Sequence, residues 1–201
     1  MKTEKVLVGN VPIGGGSQIA VQSMTNTATS DAGATLAQIG GLADAGCDIV
    51  RVAVPNMLAA RALKEIAAKT PLPVVADIHF DHSLALAAIE NGAAKIRINP
   101  GNIPEKGLNG IISAAKNAHI PVRLGVNGGS ADKALLAKYG SKAEALTESL
   151  LGYVSYFEKR GFYDLVLSIK SSDVAETVAL NERIAKKCAY PMVPYGKLKY
   201  Y

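Results

Sequence analysis

Tryptophan is absent from the 201 residues, and there are only three phenylalanines, three histidines and two cysteines. The formal net charge is +5, but the lysines and arginines are scattered and the aromatics sparse, which argues against a nucleic-acid surface. Cys47 and Cys188 stand far apart, with no CxxC and no Cys/His cluster. That excludes a disulfide framework and a local metal site, and it fits a reducing, cytoplasmic setting. No apolar run approaches the length of a membrane span, and the amino terminus lacks the hydrophobic core of a signal peptide. What remains is a globular chain, 49% hydrophobic and 19% charged, long enough for one sizeable core.

A short hairpin is expected first, Lys5 to Val8 and Val11 to Ile13 around the turn pair Gly9-Asn10, followed by a bend at Gly14-Gly15-Gly16. From Gln18 onward, short apolar runs alternate with helical periods. The strands expected are Ile19 to Met24, Asp48 to Val54, Val74 to Ile78, Lys95 to Ile98, Val122 to Val126 and Asp164 to Ile169. Asn56 and Asp81 are candidate helix caps, Ser141 with Glu144 and Asp173 with Glu176 candidate capping boxes, and Gly46, Gly92 and Gly161 stop signals. Six successive βα units argue a parallel sheet covered by helices. Both an open doubly wound sheet and a closed (β/α)₈ barrel satisfy that pattern. Polar groups after nearly every strand favour the TIM-type barrel, incomplete here, because a full barrel takes about 250 residues and eight units.

The chemistry concentrates in Lys95 to Asn102, where a buried strand carries ionic and amide groups. Arg97 and Asn99 are two residues apart, which on a strand points both to one face while Ile96 and Ile98 point to the other. Pro100 and Gly101 then end the strand. The pairs Asp77/His79, Arg123/Asn127 and Ser168/Lys170 have even spacing too, so with Arg51 they predict a ring of four cations around one mouth. Burying so many like charges costs several kcal/mol per ion, roughly, unless a counter-ion is supplied. An anionic ligand, phosphate or diphosphate, answers that cost, with arginine as a forked donor and lysine as a point charge. The competing reading is that these cations pair with carboxylates inside the barrel, for which Asp77 is the one well placed, since Asp48 and Asp164 sit at amino-terminal strand ends. His79 has its own bland alternative, holding a loop through Asp77. Asn127-Gly128-Gly129-Ser130 is a weak phosphate-cradle motif. His82 and His119 read as surface or cap residues, Cys47 as a small buried residue, and Cys188 as core on an apolar face with Val174, Val178 and Ala185.

Six segments in register, VQSMTNT from Val21, DIVRVAVP from Asp48, ADIHF from Ala76, RINPGN from Arg97, VRLGVN from Val122 and LSIKSSD from Leu167, resemble the amino-terminal barrel of the bacterial 4-hydroxy-3-methylbut-2-enyl diphosphate synthase family, from about Val6 to about Tyr190. The resemblance implies reductive opening and dehydration of 2-C-methyl-D-erythritol 2,4-cyclodiphosphate in isoprenoid biosynthesis. It implies substrate contacts by Arg51, Arg97, Asn99, Arg123, Ser168 and Lys170, and catalytic positions at Asp77, His79 and Asn127. It also implies a 4Fe-4S cluster in the complete enzyme, with flavodoxin or ferredoxin as reductant and a homodimer.

Residues 191–201 depart from the family pattern: no glutamate appears there, Pro194 interrupts a central strand, and the cluster ligands are missing. The expectation is a hairpin and linker over 1–17, a partial substrate-binding barrel over 18–190 and an aberrant tail, with the iron-sulfur domain absent and the chain alone inactive. Unpaired apolar edges would leave it poorly soluble or dependent on a partner. The alternatives are a non-catalytic phosphoester-binding remnant and a pterin or sugar-phosphate barrel of other chemistry.

Overall fold

A computed structural model describes residues 3–127 and 133–193. Strands β1 (Lys5–Val8) and β2 (Val11–Gly14) form the antiparallel hairpin. Gly14 needs to be glycine: at φ 74°, a Cβ there would lie 2.4 Å from the Glu4 carbonyl oxygen.

Six parallel strands follow in one sheet: β3 (Gln22–Met24), β4 (Ile49–Ala53), β5 (Val74–Asp77), β6 (Lys95–Ile98), β7 (Val122–Asn127) and β8 (Leu165–Lys170). Their spatial order is their sequence order. A doubly wound sheet reverses order at a switch point, so this unbroken succession is that of a barrel wall wound in one direction. The helices between the strands are α1 (Ala32–Asp44), α2 (Met57–Lys69), α3 (His82–Glu90), α4 (Glu105–Ala118), α5 (Lys133–Tyr139), α6 (Lys142–Glu158) and α7 (Val174–Lys187). Compared with the sequence reading, β3 starts later, β7 and β8 each run one residue further, and α5 is an unforeseen short helix before α6.

The anticipated caps form. Asn56 Oδ1 accepts the Ala59 N–H at 3.0 Å, and Asp173 Oδ1 accepts the Glu176 N–H at 2.7 Å. Asp31, not anticipated, caps α1 through the Ala34 N–H at 3.0 Å. His119 takes the left-handed cap position of α4 at φ 53°.

Alternation divides each strand into two sets. One set, including Val50, Val52, Ala76, Ile96, Ile98, Leu124, Leu167 and Ile169, packs outward on helix residues such as Leu63, Ile66, Ile111, Leu150 and Phe157, forming the main core. Val8 of the hairpin packs with Ile49 and Val75 in a second cluster beneath the sheet's other face. The hairpin therefore floors the barrel interior.

The expected apolar face of α7 is only partly buried. Leu180 and Ile184 pack inward, whereas Val174 and Val178 are exposed and Cys188 is half-buried. No further helix among the described residues lies beyond α7 to cover that flank. At the β8 edge, the Leu167 N–H donates to the Pro191 carbonyl and the Val193 N–H to the Leu167 carbonyl, both at 2.9 Å, so residues 191–193 begin to pair where the sequence showed no strand-seven pattern.

Candidate functional site

Register decides which side chains share the inner face. Ala53 pairs with Asp77, Asp77 with Arg97, Arg97 with Arg123, and, one step further along, Gly125 with Ser168 and Asn127 with Lys170. Arg51 lies two residues before Ala53, so it has the same parity. Arg51, Asp77, Arg97, Arg123, Asn127, Ser168 and Lys170 thus stand on one face, toward the carboxyl ends of their strands.

Asp77 is the electrostatic hub. Its carboxylate is buried, with Oδ1 accepting from Arg97 Nη1 at 3.0 Å and Oδ2 lying 3.7 Å from Arg51 Nε. The pairing alternative is therefore realised at Asp77, one carboxylate shared by two guanidiniums. Arg51 Nε also points at Met24 Sδ, at 3.2 Å. Arg123 is 1% exposed and donates from Nη2 to Ser168 Oγ at 3.0 Å. Gly125 makes room for Arg97, since a Cβ there would lie 3.1 Å from Arg97 Nε.

The other anticipated residues are less central. His79 is half-exposed, with Nε2 3.9 Å from Asp77 Oδ2, at the rim of the same carboxylate. Asn99 is buried, but its Oδ1 accepts the Gly101 N–H at 3.2 Å, capping the 3₁₀ turn Pro100–Asn102. Its amide shapes the loop that the Pro-Gly pair was expected to make. Lys170 ends β8 exposed beside Asn127. Gly128, Gly129 and Ser130 of the weak cradle motif lie outside the described residues.

Lys95 escaped the sequence reading. It is fully buried on the inner face, its Nζ has no hydrogen-bond partner among the described residues, and burial together with the Arg123 and Arg51 guanidiniums pushes its amine down to about 7. Its signal was present: Lys95 shares the parity of Arg97 and Asn99. Among the described residues this face carries three arginines and Lys95 against one carboxylate, in a setting where low dielectric strengthens each charge.

A family profile for the GcpE TIM-barrel domain matches residues 3–193. The chain belongs to the GcpE family. Among curated relatives, 4-hydroxy-3-methylbut-2-en-1-yl diphosphate synthase (flavodoxin) of Maridesulfovibrio salexigens is 54% identical over 94% of this chain and 54% of its own length. The Geobacter sulfurreducens protein of the same name is 51% identical over 95% of this chain and 55% of its own. This GcpE-family chain thus spans about half the length of the curated relatives it matches. Solved structures show the fold in more distant sequences. Dihydropteroate synthase from Xanthomonas albilineans superposes with a TM-score of 0.65 at 16% identity, covering 94% of this chain and 77% of that one. A truncated 3-deoxy-D-arabino-heptulosonate 7-phosphate synthase from Thermotoga maritima gives 0.66 at 16% identity, covering 95% of this chain and 68% of its own.

A 4Fe-4S cluster does not fit the described residues of this GcpE-family chain. No group of three His, Cys, Asp or Glu among them can hold a metal ion. Cys47 turns its thiol to the Ile49 and Val21 carbonyl oxygens at 3.0 and 3.4 Å. Among the described residues no helix is long and apolar enough to cross a membrane.

Proposed function

We propose that this chain is the diphosphate-holding part of a 4-hydroxy-3-methylbut-2-en-1-yl diphosphate synthase, the enzyme that reductively opens and dehydrates 2-C-methyl-D-erythritol 2,4-cyclodiphosphate on the way to isoprenoids. The observation that carries this is the gathering of the Arg51, Arg97 and Arg123 guanidiniums on the inner face around Asp77, the one carboxylate that the described residues place among them, in a chain about 50% identical to proteins of that name. Guanidiniums converging on one mouth are stabilised by a ligand bearing two negative charges, and their forked N–H donors match phosphate oxygens.

Arg51, Arg97, Arg123 and Lys170 take the phosphate oxygens, with Ser168 and Asn99 at their flanks. Asp77 holds Arg51 and Arg97 in place before substrate arrives, and Ser168 does the same for Arg123. His79 and Asn127 stand with Asp77 around the sugar-derived part of the substrate. Residues 18–190 make up the binding barrel, with the hairpin of β1 and β2 as its floor. The cluster and the electrons it delivers stand outside the described residues; flavodoxin, named with the relatives, or ferredoxin supplies the electrons, and the complete enzyme works as a cytoplasmic homodimer. A second reading is a phosphoester-binding barrel that keeps the anion site without turnover.

Titration calorimetry with the cyclic diphosphate tests the binding claim. Arg97→Ala and Arg123→Ala are each expected to weaken binding by roughly tenfold or more, the worth of a charge-assisted hydrogen bond, while Arg61→Ala on the exposed face of α2 changes nothing. Affinities equal to wild type in the first two would refute it. Turnover when the cyclic diphosphate, reductant, iron and sulfide are supplied would overturn the second reading.

A further inference from the structure

Lys95 lies level with Arg51 and one layer deeper than Arg97 and Arg123, all three of them assigned to phosphate. The backbone register sets Arg51, Val75 and Lys95 in one row across β4, β5 and β6, with Met24 beside Arg51. The next row toward the mouth is Ala53, Asp77, Arg97 and Arg123. Every strand packed around Lys95 therefore contributes a known set of charges. β4 brings Arg51, β5 brings Asp77, β6 itself brings Arg97, β7 brings Arg123, and β8 adds Ser168 and, at its exposed end, Lys170. The one carboxylate in that set is committed to Arg97 and Arg51. The charges that act on the Lys95 amine are the Arg123 and Arg51 guanidiniums, both of its own sign.

A buried amine that has no hydrogen-bond partner among the described residues and faces two cations is pushed toward its uncharged form by desolvation and repulsion alike. An anion that settles on the arginines removes the repulsion and replaces it with attraction. We propose that Lys95 is a proton-coupled anion sensor, its amine gaining a proton when a diphosphate group docks on Arg51 beside it and on Arg97 and Arg123 one row above. The proton comes from solvent: –NH₂ and H₃O⁺ give –NH₃⁺ and H₂O, and no bond to the ligand forms. By linkage, what binding does to the proton, the proton does to binding, so affinity declines as pH rises above neutrality. The inference rests on the anion-binding reading of the site and adds a group and a pH dependence to it.

The test is proton counting. Inorganic pyrophosphate is titrated calorimetrically into the whole chain at pH 8 in two buffers of unlike ionisation enthalpy, for wild type and Lys95→Met. With an amine that titrates near 7, wild type takes up about half to one proton more per bound pyrophosphate than the variant, because roughly nine-tenths of it is uncharged one unit higher. At pH 6 the excess vanishes. The ratio of wild-type to variant affinity falls by up to about tenfold per pH unit above neutrality. Protonation of pyrophosphate itself is common to both proteins and cancels. Lys95→Gln, which keeps a polar head, is expected to lose the same proton and carries the comparison should Lys95→Met fail to fold. Equal proton counts in wild type and variants overturn the sensor while leaving the anion site standing. Absence of any binding heat in wild type overturns both.

Discussion

Lys95→Met should stabilise the protein at neutral pH, against the usual rule that altering a fully buried residue costs stability. The wild-type amine ordinarily titrates at 10.5 and is pushed down to about 7 in the barrel. That gap of about 3.5 units, at about 1.4 kcal/mol per unit, sets an upper bound near 5 kcal/mol on the strain of charging it, and on the order of 3–5 kcal/mol is expected after local relaxation. The sign follows from proton binding. Between about 7 and 10.5 the unfolded chain holds a proton on Lys95 that the folded chain does not, so the wild-type protein gains stability from this group as pH rises. Below 7 both states are charged and the penalty is full; above 10.5 both are neutral and it is gone. Methionine has nearly the same length and no charge, so the variant's advantage is largest at pH 7 and below, and it shrinks by about 3 kcal/mol by pH 9.5. Urea unfolding of both proteins at several pH values measures the difference directly, and other titrating groups cancel. A variant less stable than wild type at pH 7, or a difference flat with pH, would refute the reasoning, since either means that Lys95 has a counter-charge.

Two further perturbations probe the arrangement of the arginines. Asp77→Asn keeps the shape and removes the carboxylate that Arg97 and Arg51 share, leaving two guanidiniums with no counter-ion; a loss of about 3 kcal/mol is expected in urea unfolding, and a loss under about 0.5 kcal/mol would show the pairing to be idle. Gly125→Ala places a methyl group where Arg97 Nε comes within 3.1 Å of a Cβ, so the guanidinium must shift; pyrophosphate affinity should fall roughly tenfold with a stability cost of about 1–2 kcal/mol, and unchanged affinity would contradict the placement of Arg97.

Local periodicity made most of the fold legible. Period-two alternation in KIRIN put Arg97 and Asn99 on one face, and β-branched runs marked each strand of the wall, because both follow from backbone geometry that needs no partner. Caps at Asn56, Asp81 and Asp173 were legible for the same reason: the bond they make is closed within four residues. Where the outcome depended on what lay across space, the reading fell short. Val174 and Val178 keep a helical period with Ala185, yet they are exposed, because only contact with a neighbouring element buries a face.

The amino-acid sequence alone determined the order of the six βα units, the faces of their strands and the cation-rich chemistry at their carboxyl ends, all properties of spacing along one chain. Tertiary structure alone decided how those charges are matched. Asp77 lies 20 residues from Arg97 and 26 from Arg51, Arg123 lies 45 from Ser168, and Lys95 has no anion beside it among the described residues. Pairing and desolvation are set by distance through the folded barrel interior, and no spacing in the chain encodes that distance.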